Sequence, residues 1–118
     1  MNTLLTYYIG MSRRRPEFWD YVTKEACLVA GGCTVNSAEG HWVVGAHETQ
    51  EMYHGCTERE LSMQIEIVVP ADDANRVRQH MKYAIIYAAT EYDVDIDWVH
   101  VTSQIVNTHH FSIAEDAQ

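Results

Sequence analysis

The sequence is poor in basic residues, with 8 lysines and arginines against 17 aspartates and glutamates and a formal net charge of -9 at pH 7. An acidic surface repels phosphate backbones, so this balance argues against nucleic acid as the main partner. The three consecutive arginines at 13–15 are too short a run to reverse it. The same acidic field favours a cationic ligand.

Long apolar runs, a basic leader and an even number of cysteines are also missing. No stretch approaches the roughly 20 residues that span a bilayer, and the opening MNTLLTYYIG has neither a basic region nor a small-residue cleavage site. The 3 cysteines cannot all pair within one chain, and none lies in a CxxC motif. These absences predict a cytoplasmic protein with free thiols and no membrane partner.

Hydrophobic periodicity predicts a single domain over residues 1–118 with the order β-α-β-β-α-β. The first half is predicted to contain a strand at 3–9, a helix from Pro16 to Gly31–Gly32, and a hairpin of 33–35 and 41–44 around a turn at 36–40. An alternating strand at 61–69, a helix at 71–92, an alternating strand at 93–104 and an edge strand at 109–113 are predicted to follow. The second helix has the apolar stripe Val77, Met81, Ala84, Ile85 and Ala88. This order predicts an α+β, ferredoxin-like sandwich: an antiparallel sheet with two helices on one face.

The second face of this sheet would carry the polar residues Ser62, Gln64 and Glu66 of the clearest alternating strand. Aromatic and β-branched residues are expected to join them: Tyr7 or Tyr8, Trp42, and Val99 or Val101. Such a face would be too apolar to leave bare, which predicts a homo-oligomer.

The segment HETQEMYHGCTERE, residues 47–60, concentrates reactive side chains and admits three interpretations. A metal site could use His47, His54 and Cys56, but their spacing fits no zinc pattern, and the segment is not an HExxH motif. Cys56 could be a nucleophile, although His54 two residues away gives no assured hydrogen bond. The third interpretation is a ligand loop between Gly45 and Gly55.

In the ligand-loop interpretation, Tyr53 offers a stacking surface, while Glu58 and Glu60 lie where the chain enters the next strand. A carboxylate at that junction can hold an ammonium group or ribose hydroxyls. The competing interpretation is a solvated loop with ordinary surface glutamates.

Four segments resemble one family: GGCTVNSAEGHW, HGCTERE, ADDANRVRQHMKYA and VHVTSQIVNTHHF. They are similar to the phage-encoded S-adenosylmethionine lyases, also called S-adenosylmethionine-degrading enzymes. The resemblance implies a PII-like fold, a trimer with its sheets facing inward, and active sites between subunits. It also implies a ligand loop at about 45–57 and an anti-restriction role in the host cytoplasm. Independently of the resemblance, the weak pattern of the last residues predicts a flexible tail at about 113–118.

The chemistry that the resemblance implies needs no cofactor and no metal. The substrate's own α-carboxylate attacks its γ-carbon, 5'-methylthioadenosine leaves, and homoserine lactone forms. The implied catalytic residues are Glu60, Gln64 and Tyr53, and the implied substrate-binding residues are Ser103, Gln104, Glu58 and Trp42.

Three of these residues have distinct expected roles. Glu60 is the first choice for the family's important carboxylate, which holds the substrate's ammonium group. That position could instead fall on Gln64, where an amide would keep the shape and lose the charge. Tyr53 would pack on the adenosine or the sulfonium. The alternative function is a PII-like module that binds a nucleotide-type ligand without catalysis, and a purely structural oligomer is a third.

Overall fold

The computed structural model describes residues 1–43, 57–96 and 98–116, with the backbone alone at 41–43, 57–60 and 115–116. The elements are β1 (Asn2–Met11), α1 (Pro16–Ala30), β2 (Thr34–Val43), β3 (Thr57–Pro70), a 3-10 turn (Ala71–Asp73), α2 (Ala74–Glu91), β4 (Val99–Val106) and α3 (Ile113–Asp116). The strands form an antiparallel sheet in the order β2-β3-β1-β4. This arrangement confirms the predicted βαββαβ, ferredoxin-like α+β fold.

Helix α1 begins and ends where the sequence predicts. Pro16 occupies the first turn, where its fixed φ suits the helix and its missing N–H is not needed. Gly31 follows the last turn with φ 84°, a left-handed conformation that glycine adopts without steric penalty. Its N–H donates to the carbonyl of Cys27 at 2.8 Å, which satisfies a terminal acceptor of the helix.

The core lies between one face of the sheet and both helices. The odd-numbered residues of β1, and those of β3 from Met63 to Val69, are buried there because side chains alternate along a strand. The helices contribute their apolar stripes, which confirms the predicted face of α2. The largest fully buried side chains are Tyr7, Phe18, Leu5, Ile9, Met63, Ile65, Ile67, Met81, Val22 and Val77.

The predicted hairpin at 33–44 is wrong, because Thr34–Val43 is one continuous strand. Its turn-forming residues, including Asn36 and Gly40, pair instead with Gln64 and Glu60 of β3. Pairing along the whole of β2 satisfies the backbone hydrogen bonds that a turn would have satisfied locally, and it overrides the local turn preference.

The last predicted strand begins too early. Asp93 has φ 55°, so the chain turns there, and the Ser12 N–H donates to the carbonyl of Asp95 at 3.1 Å. Val94 is buried at 4% exposure but belongs to no strand. The observed β4 therefore starts at Val99, after this turn has brought the chain alongside β1.

The predicted edge strand at 109–113 is also wrong. Residues 107–112 belong to neither helix nor strand, and the chain then forms the short helix α3. Among the described helices, none combines the length and the apolar composition needed to cross a bilayer.

Candidate functional site

The sheet face opposite the helices, called the open face below, is mainly polar. Alternation and strand register place the following described residues on it: Leu4, Thr6, Tyr8, Thr34, Asn36, Ala38, Ser62, Gln64, Glu66, Val68, His100, Thr102, Gln104 and Val106. This set contains no lysine or arginine. Of the aromatic alternatives expected on this face, Tyr8 lies on it and Tyr7 does not. The expectation for Val99 or Val101 is wrong, because both valines alternate onto the helix side.

Gln64 and Glu66 form the best-defined polar contact of the open face. The Gln64 Nε2 donates to the Glu66 Oε1 at 3.0 Å, and both residues are half-buried. Gln64 lies between Asn36 on β2 and Tyr8 on β1. The arrangement combines a carboxylate, two amides and a phenol, which are groups that can hold an ammonium or a polar ligand.

The residues predicted at the end of the last strand fall on opposite sides of the sheet. Gln104 is on the open face, paired with Leu4. Ser103 is on the helix side, where its Oγ lies 3.4 Å from the Arg78 Nη1. Within one chain, Ser103 and Gln104 therefore cannot contact one ligand from the same face.

The other predicted site residues are described only in part. The backbone of Glu60 pairs with Gly40, and that of Glu58 pairs with Trp42. Glu60 precedes Gln64 by an even number of residues, so both backbone positions belong to the same face of β3. Tyr53 lies outside the described residues, as does the proposed ligand loop apart from Thr57.

The structure describes two of the three cysteines but not the candidate metal ligands of residues 47–56. His47, His54 and Cys56 lie outside the described residues, and within the described part no group of three or more potential ligands gathers. Cys27 and Cys33 are free thiols whose sulfurs lie 3.5 Å apart. Burial, together with the hydrogen bond and charge of Cys27, raises the pKa of Cys33 to about 11, which makes it a poor nucleophile at neutral pH.

A concave region that the sequence does not predict lies between α2 and β4, on the helix side of the sheet. This α2–β4 cleft has a volume of about 460 Å³, within the usual range for small-molecule sites. Its lining includes Tyr7, Arg78, Lys82, Trp98, Val99 and Val101. In the sequence, the only indication of this cleft is the spacing of Arg78 and Lys82, which lie one turn apart on a helix. It is also typical of a solvated face.

Tyr7 has an unusual environment within this cleft. Its side chain is 2% exposed, and its hydroxyl has no hydrogen-bond partner among the described residues. Burial raises the pKa of Tyr7 to about 12, although the positive charge of Arg78 acts in the opposite direction. The phenol is therefore neutral and available as a donor at physiological pH.

The raised pKa of Tyr7 predicts that the protein loses stability at alkaline pH and that Tyr7→Phe does not show this loss. The folded-state pKa exceeds the unfolded value of 10.0, so the contribution of Tyr7 is lost as pH rises between about 10 and about 12. At pH 11 the wild type should lose about 1 kcal/mol more than Tyr7→Phe, both measured relative to pH 8 by urea unfolding. Tyr8→Phe, at a 37% exposed neighbour, is the control and should behave like the wild type. Equal alkaline losses in wild type and Tyr7→Phe would contradict the prediction.

Comparison with known proteins identifies the fold. No family model matches the chain, and no curated protein matches it by sequence. The solved structure of B. subtilis GlnK is similar, with a TM-score of 0.53, 16% identity and coverage of 88% of this chain and 86% of GlnK. A DUF3240 family protein from Shewanella baltica OS155 is also similar, with a TM-score of 0.50, 9% identity and coverage of 93% and 96%. The chain therefore has the PII-like form of the ferredoxin-like fold.

Proposed function

We propose that this protein binds S-adenosylmethionine on its open face and cleaves it to 5'-methylthioadenosine and homoserine lactone. The observation that carries the proposal is the half-buried Gln64–Glu66 pair, on a face whose described side chains include no lysine or arginine. The substrate carries a sulfonium and an ammonium, so the Glu66 carboxylate and the excess of acidic residues attract it. The resemblance of the sequence to the phage-encoded lyases supplies the choice of substrate.

The reaction places modest demands on the protein. One oxygen of the substrate's carboxylate forms a bond to the γ-carbon while the γ-carbon–sulfur bond breaks, and the bonding electrons move to sulfur. The nucleophile belongs to the substrate, so the protein's task is to fold the methionyl chain into attack geometry. Orientation of this kind can lower a barrier by up to roughly 7–11 kcal/mol. Opposite charges disappear in the step, so excluding water also helps.

Each residue of the proposed site has a role in holding one part of the substrate. Glu66 holds the ammonium, and Gln64 fixes Glu66 through its hydrogen bond at 3.0 Å. Glu60 lies about 20 Å further along β3 and steers the cation towards the site. Tyr53 packs on the adenosine or the sulfonium, with Glu58, Trp42 and Gln104 as further contacts. Within the same chain Ser103 is on the other face, so we leave it out of this site.

A single open face supplies only one wall of a binding site. A ligand of this size is usually enclosed on most of its surface. We therefore infer that a second copy of the chain closes the site, in the trimer that the resemblance implies. The predominantly polar character of the open face suits a wet interface with a ligand between the copies.

A second candidate is binding without catalysis, as a PII-like small-molecule module. The neutral amide of Gln64 favours it, because an amide anchors an ammonium less strongly than a carboxylate does. Under this alternative the ligand is recovered intact after saturable binding.

The deciding experiment is incubation of the purified protein with S-adenosylmethionine and excess chelator, followed by chromatography for methylthioadenosine. Product that grows linearly with protein concentration and disappears in Glu66→Gln supports the lyase. Intact substrate with saturable binding by calorimetry supports the second candidate. Neither binding nor turnover would overturn both. A separate assay for the lactone distinguishes internal attack from attack by water.

A further inference from the structure

We propose that the α2–β4 cleft binds a small amphipathic anion, which has one carboxylate, sulfonate or phosphate head and a flat apolar body. This site is separate from the open face, because the sheet lies between the two. The proposal rests on the hydroxyl of Tyr7, which has no hydrogen-bond partner among the residues that the structure describes, on the two cations Arg78 and Lys82, and on the apolar walls of the cleft.

The charge of the cleft is opposite to that of the chain. The protein as a whole carries a formal charge of -9, yet the residues known to line the cleft include two cations and no carboxylate. Neither Arg78 nor Lys82 forms a salt bridge with any residue that the structure describes. Two cations that have no carboxylate partner in the described part of the chain, beside an apolar wall, are favourable for an anionic head group.

Arg78 is held in place for such a role. One terminal nitrogen of its guanidinium donates to the Asn75 side-chain oxygen, and the other lies 3.4 Å from the Ser103 hydroxyl. These two contacts use part of a group that has five N–H donors in a planar fork. The remaining donors can bind an oxyanion with little further loss of side-chain freedom.

The Tyr7 hydroxyl adds a second, independent indication. A buried hydroxyl without a hydrogen bond is costly, and such groups in native structures call for a partner that completes them. Tyr7 is 2% exposed and lines the same cleft as Arg78. An oxyanion there would accept hydrogen bonds from both side chains.

The rest of the cleft suits the body of the ligand. Val99, Val101 and Ile85 provide an apolar surface, and Trp98 and Ile86 remain 58% and 53% exposed. An occupant with an apolar surface alone would leave the two cations and the hydroxyl desolvated without a partner, which is unfavourable. The walls and the polar groups together therefore favour an amphipathic anion over a neutral apolar molecule.

A matched pair of fluorescent probes tests the charge requirement. 8-Anilino-1-naphthalenesulfonate carries a sulfonate, and N-phenyl-1-naphthylamine has nearly the same aromatic body without it. We expect saturable binding of the sulfonate probe, weakened about tenfold by Arg78→Gln and several-fold by Tyr7→Phe. Binding of the neutral probe should change less than twofold in both variants. Arg76→Gln is the control, because Arg76 is an exposed arginine of the same helix that pairs with Asp73.

Several results would overturn the proposal. These are the absence of saturable sulfonate binding, equal weakening of both probes by Arg78→Gln, or an equal effect of Arg76→Gln. If Arg78→Gln fails to fold because it loses its contacts to Asn75 and Ser103, Lys82→Gln takes its place with the same expected selectivity. The methylthioadenosine assay and the probe assay report on opposite sides of the sheet. Either proposal can therefore fail without the other.

Discussion

Gln64→Glu is expected to increase the rate of methylthioadenosine release from S-adenosylmethionine by about 100-fold. A carboxylate at position 64 would hold the substrate's ammonium through a charge-assisted hydrogen bond, which is stronger than the contact an amide can make. Since the reaction depends on placing the substrate's carboxylate against its own γ-carbon, a displacement of about 1 Å can change the rate by about 100-fold. Initial rates at saturating substrate, followed by chromatography, measure the effect.

The neighbouring carboxylate complicates this variant in a predictable way. The Gln64 Nε2 now donates to the Glu66 Oε1 at 3.0 Å, and a glutamate at position 64 would replace that bond with like-charge repulsion. This repulsion would destabilise the folded variant once both carboxylates are ionised. The double variant Gln64→Glu/Glu66→Gln avoids this, because it exchanges the two groups and keeps one charge and one hydrogen bond.

Two comparisons distinguish the effect of a carboxylate at position 64 itself from the effect of added negative charge anywhere on the open face. The double variant should match or exceed the rate of Gln64→Glu, and it should be the more stable of the two above neutral pH. Asn36→Asp is the control, since it adds a carboxylate on the adjacent strand without changing position 64. If Asn36→Asp increased the rate as much as Gln64→Glu, the negative electrostatic field of the face, and not the position of the carboxylate, would determine the rate. No gain in any variant would leave binding without catalysis as the better proposal.

The elements that the sequence predicted well are those with strong local signals. Pro16 and Gly31 mark the ends of α1 through backbone geometry alone, which does not depend on the rest of the fold. The alternation through Met63 and Ile65 places Gln64 and Glu66 together on the other face of β3. For the same reason, the polar pair of the open face could be anticipated from the sequence.

The errors arose where distant contacts decide the structure. Asn36 and Gly40 favour a turn locally, but the whole length of β2 is paired with β3. The start of β4 depends on the turn at Asp93, whose side chain also forms an ion pair with Arg13 at 3.3 Å. A period-2 pattern cannot reveal such a turn, because the alternating residues continue through it.

The α2–β4 cleft illustrates the same limit for function. Arg78 and Lys82 resemble the solvated face of a helix in sequence, and Tyr7 resembles one more residue of a buried strand. Their proximity arises from the packing of α2 beside β4 at one edge of the sheet. Only the tertiary structure brings a hydroxyl from β1 and two cations from α2 into one cavity.

The largest expected effect on stability comes from Phe18→Ala. Phe18 is 0% exposed and belongs to the hydrophobic core, on α1, a helix that contacts both β3 and α2. Truncation of a buried phenylalanine typically costs about 3–5 kcal/mol, through lost burial and the cavity that remains. A domain of this size has a total stability of roughly 5–15 kcal/mol, so the variant should lose a large fraction of it.

Urea unfolding followed by circular dichroism tests this expectation, with two controls on the same helix and side chain. Leu28→Ala removes an apolar side chain that is 69% exposed and should change the free energy of unfolding by less than about 0.5 kcal/mol. Phe18→Leu keeps most of the apolar volume, so its free energy of unfolding should lie between those of Phe18→Ala and wild type. If Phe18→Ala cost no more than Leu28→Ala, Phe18 would not be a central core residue. The packing of α1 against the sheet would then need revision, and with it the assignment of the opposite face as the one open to a ligand.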